Sequence, residues 1–293
     1  MDFKGFTLDR FQEQAITAVE ENRSVIVSAP TGAGKTVIAE YAIEKAISTG
    51  KEIIYTAPIK ALSNQKFRDF SKDYPGKIGI MTGDVIINPE APVLIMTTEI
   101  FRNIIFDQSA ERLRNVESVI FDEIHYINDI QRGTVWEESI IFAPQHITFI
   151  CLSATIPNFQ EFADWIRSVR ERDIEAVVET KRPVPLKVQI WIPGFGFRDM
   201  KFMRKLEKEK DQKKRKRRGS NVDLVYHLKK EDQLPCLYFH FSRLGCEEYA
   251  QHFKNAHLLK DFERRRVLDL YDRLCEQFGV KVEGPYKPDT YRY

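Results

Sequence analysis

Short apolar runs alternate with amphipathic stretches over the first two thirds of the chain. The runs at 25–27, 53–55, 78–80, 93–96, 119–121 and 147–152 are rich in Val and Ile and almost free of charge. Uninterrupted runs of this kind predict parallel strands covered on both faces. Between them, apolar residues recur at helical spacing, which predicts helices over about 10–22, 35–48, 60–71, 99–107 and 159–170. Strand and helix in regular alternation predict an open α/β sheet. The pattern changes at Lys181-Arg182-Pro183-Val184-Pro185, where two closely spaced prolines favour an extended connector. A further strand is expected at 188–192, broken by Pro193-Gly194-Phe195-Gly196. Another is expected at 234–239, followed by helices near 243–254 and 259–278.

Length and composition narrow the class. The chain has 293 residues, 43% of them hydrophobic, enough for a core in each of two domains. No apolar run reaches the length of a membrane span, and the N-terminus lacks a signal-type apolar region, so an intracellular protein without membrane association is expected. The four cysteines lack the CxxC spacing of a zinc site, which fits a reducing compartment. The net charge of +2 conceals a segment, 201–218, with eleven basic and three acidic residues. Its densest part, 213–218, has three readings: a solvated linker, a sequence-independent contact with phosphates, or a nuclear-import signal.

Candidate chemistry starts at Ala29-Pro30-Thr31-Gly32-Ala33-Gly34-Lys35-Thr36, set between an expected strand and an expected helix. Glycines at this turn let backbone N–H groups face phosphates, which gain further from the helix N-terminus. Thr31, Gly32, Ala33, Gly34, Lys35 and Thr36 would cradle a nucleotide. Lys35 would reach the β and γ phosphates, and Thr36 would ligate Mg²⁺. Ala29 stands where the usual pattern has its first glycine. Asp122-Glu123 follows the apolar run at 119–121. Asp122 would hold Mg²⁺, and Glu123 would orient and deprotonate the attacking water, the positioning that phosphoryl transfer to water needs. Ser153-Ala154-Thr155 ends the run at 147–152 and has two readings of about equal weight. It is a helix N-cap, or a hydroxyl relay to the 122–125 loop and His125.

Taken with the loop at 29–36, Asp122-Glu123-Ile124-His125 and Ser153-Ala154-Thr155 resemble the DExH helicases of superfamily 2. Longer strings, Phe6-Thr7-Leu8-Asp9-Arg10-Phe11-Gln12, Thr56-Ala57-Pro58-Ile59-Lys60-Ala61-Leu62-Ser63-Asn64-Gln65-Lys66 and Arg132-Gly133-Thr134-Val135-Trp136-Glu137-Glu138, are similar to the superkiller-like RNA helicases that feed RNA to the exosome. The resemblance implies a RecA-like P-loop domain, with a parallel sheet flanked by helices, and then a partial, truncated second α/β domain. The expected boundaries are 1–183 for the ATP-binding domain, 184–233 for a connector and 234–293 for the partial second domain. It implies ATP and Mg²⁺ as ligands, with Phe6 stacking on adenine and Gln12 bonding its edge. Pro58, Lys60 and Gln65, with Thr82, Gly83, Thr97 and Thr98, would line single-stranded RNA, although Thr82-Gly83-Asp84 read alone is a simple turn. Exosome-type cofactors are implied partners, in the cytoplasm or, in a eukaryote, the nucleus.

The string Phe239-His240-Phe241-Ser242-Arg243-Leu244-Gly245-Cys246-Glu247-Glu248 resembles the first motif of the family's second domain. The later string that carries the family's arginine finger is not found. From Val184 onward too few residues follow for an α/β domain of ordinary size, about 150 residues. The expectation is therefore half of a motor, from a fragment or a reduced relative: slow in ATP turnover, not competent to unwind alone, with another chain supplying the second domain. A DNA-directed motor of the same superfamily and a non-motor, nucleotide-switched RNA-binding module are the alternatives.

Overall fold

The computed structural model describes residues 1–107, 110–192, 196–204, 222–253 and 256–277. The core of the basic run at 213–218, the break at 193–195 and the tail at 286–293 lie outside the described residues. The chain divides into two compact units, Met1–Leu186 and Lys187–Tyr293.

The first unit opens with a hairpin, β1 (Asp2–Phe3) against β2 (Phe6–Thr7), and then builds one sheet. Its strands are β3 (Ser24–Ser28), β4 (Glu52–Ala57), β5 (Ile78–Met81), β6 (Ile86–Ile87), β7 (Val93–Thr97), β8 (Val116–Phe121), β9 (Thr148–Ser153) and β10 (Ile174–Val178). They lie in the order β10-β3-β9-β8-β4-β7-β5-β6, all parallel except the two-residue β6 at one edge. The helices are α1 (Arg10–Glu20), α2 (Thr36–Thr49), α3 (Lys60–Asp73), α4 (Thr98–Phe106), α5 (Gly133–Phe142) and α6 (Phe159–Arg170).

Strand side chains alternate between two cores, as a sheet covered on both faces requires. Val25, Val27, Tyr55, Ile95 and Leu152 pack with α1–α3, whereas Ile26, Ile54, Met96, Phe121 and Cys151 pack with α4–α6. The predicted helices are found to within a few residues of their expected ends. The short hairpin β1–β2, the edge strand β6, helix α5 and strand β10 escaped the sequence pattern in this unit. The apolar residues of α5 spread around its circumference, with Trp136 and Ile140 buried and Ile141 and Phe142 exposed, so no single stripe marks it. The edge strand β10 carries Glu175 among its apolar residues and lacks the uninterrupted run of a central strand.

Arg170, at the last position of α6, is buried. Its guanidinium donates to the carbonyls of Ile140, Ala143, Pro144 and Ile147 and lies over the ring of Phe149. It thus satisfies orphan carbonyls at the C-terminal end of α5 and the turn into β9. Arg170→Met keeps the apolar stem but strands those acceptors. Urea unfolding should show a loss of at least about 2 kcal/mol; a variant within about 0.5 kcal/mol of wild type would refute this capping role.

In the second unit, β11 (Ile190–Ile192) pairs antiparallel with β12 (Gly196–Arg198), and Trp191 packs against Phe197 and His227. Helices run over Val222–Lys230, Arg243–Gln251 and Asp261–Gln277, the second capped by Ser242 Oγ, which accepts from the Gly245 N–H at 2.9 Å. The expected strand at 234–239 does not form. Leu237 and Phe239 stand exposed, and no neighbouring strand among the described residues of this unit takes up the run's backbone groups. An apolar run becomes a parallel strand only where another strand completes its hydrogen bonds.

Candidate nucleotide site and nucleic-acid edge

Every motif residue of the first unit beyond the N-terminal hairpin and α1 lies at the carboxyl edge of the main sheet, where open α/β sheets bind ligands. The loop at 29–36 leaves β3, Asp122-Glu123 leaves β8, and Ser153-Ala154-Thr155 ends β9, which lies between those two. Gly32 and Gly34 take φ of +84° and +88°, so the loop turns where a side chain would be strained. A Cβ on Gly34 would also stand 2.7 Å from Gln12 Nε2. Ala29 is fully buried, and its N–H donates to the Ser153 carbonyl at 3.1 Å.

Lys35 Nζ folds back onto its own loop, donating to the carbonyls of Ala29 at 2.8 Å and Pro30 at 3.2 Å. Burial lowers the Lys35 pKa from the usual lysine value, opposed by the charges of Glu123 and Asp122. Asp122 is held at both oxygens. Its Oδ1 accepts the Glu123 N–H at 3.0 Å, and its Oδ2 accepts the hydroxyl of Tyr55, which is fully buried. Burial first, and Asp122 next, drive the Tyr55 pKa well above 10, so the phenol remains a donor.

Glu123 adopts φ 52°, ψ 43°, a left-handed conformation that few residues with a β-carbon take and that concentrates at functional sites. Burial raises its pKa and the neighbouring Asp122 adds to this, while His125, Lys35 and Lys66 act the other way. His125 Nδ1 lies 3.3 Å from Glu123 Oε2 and 3.4 Å from the Ala154 N. The 122–125 loop thus touches the end of β9 through a backbone amide and not a hydroxyl, and the N-cap position of α6 falls on Asn158, outside 153–155. Ser153 Oγ instead donates to the Ala154 carbonyl at 2.7 Å, and Thr155 is exposed.

Gln12 is buried beneath the loop. Its Oε1 accepts the Asp9 N–H at 2.8 Å and its Nε2 donates to the Gly34 carbonyl at 3.1 Å, which leaves one amide hydrogen for a base. Phe6 is 69% exposed on the N-terminal hairpin, an apolar ring open to stacking. Phe6→Ala should raise the Kd for a fluorescent ATP analogue about tenfold while leaving the melting temperature unchanged, since aromatic stacking on a base contributes about 1–3 kcal/mol. An unchanged Kd would remove Phe6 from the site.

The remaining motif residues follow β4, β5 and β7 along the same edge. Pro58 and Thr82 are buried and Gln65 is exposed; Thr97 ends β7, and Thr98, also buried, opens α4. Lys60 Nζ pairs with Asp84 at 2.7 Å, close over Gly83. Sequence reasoning passed over three residues that organise this edge. Arg132 donates to the Pro58 carbonyl and to Glu99 and lies over Trp136, joining the loops after β4 and β7. Tyr55 orients Asp122. Lys66 donates to Thr36 Oγ1 at 3.4 Å. Lys66 and Arg132 fall inside quoted strings, but their partners lie 30 and 74 residues away and emerge only once the sheet is assembled.

Thr36 Oγ1 and the Asp122 carboxylate are hard oxygen donors, a set suited to Mg²⁺, which takes few protein ligands and fills its shell with water and phosphate. Among the described residues no cluster of three or more His, Cys, Asp or Glu forms a protein cage for a metal. No helix among them is long and apolar enough to cross a membrane.

Residues 9–162 match the DEAD/DEAH box helicase family. The "Antiviral helicase SKI2" of Saccharomyces cerevisiae is 55% identical over 64% of this chain and 14% of its own length. The "mRNA transport homolog 4" of Caenorhabditis elegans is 41% identical over 94% of this chain and 29% of its own. The human "Exosome RNA helicase MTR4" is 40% identical over 92% of this chain and 28% of its own. The chain thus spans less than a third of the length of these relatives. In fold it is similar to a crystal structure of the helicase MrfA bound to DNA, with a TM-score of 0.50 at 18% identity over 59% of this chain and 27% of that one. With more than half of its residues matched, the chain belongs to the DEAD/DEAH box helicase family, among relatives of the superkiller type.

Proposed function

We propose that this chain binds ATP with Mg²⁺ and single-stranded RNA, and hydrolyses ATP as part of an RNA helicase or translocase. The observation that carries the reading is the division of one sheet edge. The ends of β3, β9 and β8 hold the phosphate loop, the Ala154 amide and the carboxylate pair, and the ends of β4, β7 and β5 hold the nucleic-acid candidates. Nucleotide and nucleic acid would thus lie side by side on one rigid scaffold.

In this reading the loop amides and Lys35 bind the phosphates, and Phe6 and Gln12 hold the base. Thr36 and Asp122 would hold Mg²⁺, which when bound neutralises developing charge on the phosphates. Glu123 orients the attacking water and accepts its proton. His125 and Ala154 tie that carboxylate to the end of β9, the strand that also holds Ala29 of the phosphate loop. Pro58, Lys60, Gln65, Thr82, Gly83, Thr97 and Thr98 grip RNA through its backbone, which positions a strand without reading its sequence. The name of the human relative supports an RNA substrate and exosome-type partners. The expected boundaries at 183 and 233 remain part of this proposal.

Steady-state ATP hydrolysis, with and without single-stranded RNA or DNA, tests it. Turnover stimulated by RNA and less by DNA of the same sequence is expected, because 2′-hydroxyl contacts distinguish the two. Equal or stronger stimulation by DNA would favour a DNA-directed motor. Nucleotide binding with no turnover under any condition would sink the hydrolase assignment for this chain.

A further inference from the structure

Lys66 is a cation that the roles above do not use, and it stands inside the nucleotide site. It projects from α3, whose first turn follows β4, and reaches Thr36 Oγ1 at 3.4 Å. Its ammonium lies 5.8 Å from the ring centres of both Tyr55 and Phe70, within cation–π range. Tyr55 donates to Asp122, and the Lys66 charge reaches Glu123 as well. Among the described residues Lys66 forms no ion pair, so it is not one half of an ordinary surface bridge. Lys35 meanwhile is turned onto the carbonyls of Ala29 and Pro30. The cation at Thr36 Oγ1 is therefore Lys66.

We propose that Lys66 is the place-holding cation of this site, occupying the position at Thr36 Oγ1 that a divalent ion must claim. This rests on the reading of 29–36 and Asp122-Glu123 as an ATP–Mg²⁺ site. Two carboxylates side by side repel one another unless positive charge stands near, and Lys66 adds to what His125 and Lys35 supply at Glu123. Lys66 would give up that hydroxyl to a divalent ion held by Thr36, and its flexible stem would let the ammonium withdraw. With metal-free nucleotide, Lys66 stays and offsets part of the phosphate charge. Lys66 is thus a positioning residue that sets how strongly nucleotide affinity depends on the divalent ion.

The test is titration of the 293-residue chain with a fluorescent ATP analogue, once in excess Mg²⁺ and once in EDTA. Lys66→Met keeps the apolar stem over Tyr55 and Phe70 and removes the charge. Its affinity in EDTA should fall about tenfold, while its affinity in Mg²⁺ stays equal or rises, so the ratio of the two shifts about tenfold. Lys66→Arg restores the charge and should hold the ratio near wild type. Thermal melting establishes that each variant is folded, and Lys66→Gln replaces the Met variant if that one is not. A purely structural lysine would weaken both affinities by one factor, so an unchanged ratio overturns the inference alone. A ratio shifted as far in the Arg variant as in the Met variant also overturns it. A wild-type chain that binds the analogue under neither condition overturns the nucleotide reading and this inference with it.

Discussion

Lys35→Ala removes nucleotide binding: the Kd for ATP rises at least about a hundredfold, and hydrolysis falls below detection. Lys35 is half-buried and donates to two carbonyls of its own loop, so thermal melting of the variant is read beside the titration to separate any folding cost from the loss of binding. Only this residue projects a full charge from the phosphate loop, and charge-assisted contacts to phosphate are about twice as strong as neutral ones. Desolvation holds the Lys35 pKa below its usual 10.5. On raising the pH, the lysine therefore loses its proton, and the chain its nucleotide affinity, earlier than an exposed lysine would. Bound phosphates favour the charged form and push that limb back upward. Fluorescence titration with an ATP analogue across pH reads both effects. An alanine variant that binds ATP within a few-fold of wild type would show that 29–36 is only a turn.

Glu123→Gln separates binding from chemistry. Glutamine keeps the size and shape of the side chain and loses the basic oxygen, so the Kd for ATP should stay within about threefold while turnover drops about 10²–10⁴-fold, the usual contribution of a positioned general base. The pH dependence has a definite sign. Burial and the adjacent Asp122 raise the Glu123 pKa above the ordinary 4.5. A base with a raised pKa is protonated, and idle, at a pH where an exposed glutamate would still be ionised. The acid limb of kcat should lie above the normal carboxylate range, and it should vanish from the residual activity of the Gln variant. Retention of more than a tenth of wild-type turnover by Glu123→Gln would assign the proton to another group.

What could be read from the chain in advance was whatever is contiguous in it. The phosphate loop is a strand, two glycines, a lysine and a helix in one stretch, and Asp122-Glu123 directly follows an apolar run. Each carries its structural context within about ten residues. The residues that stayed hidden are defined by partners elsewhere. Tyr55 looks like one more aromatic in β4 until β8 lies alongside and puts Asp122 at its hydroxyl. Arg170 looks like a solvated residue at a helix end until four carbonyls close around it. The run at 234–239 failed in the opposite direction, because hydrophobicity proposes a strand and only a neighbouring strand completes one.

The position of β9 between β3 and β8 acts as a ruler. Neighbouring strands are spaced about 4.8 Å apart, so the origins of the phosphate loop and of the carboxylate pair stand about 10 Å apart across the sheet. Were β3 and β8 direct neighbours, loop and carboxylates would close on one another, and the gap would admit a water or a bare ion. One intervening strand opens it to roughly the reach of a phosphate chain with its counterion. The spacing between the loop at 29–36 and the carboxylate pair is in that sense written in the order of the strands, before any side chain is chosen.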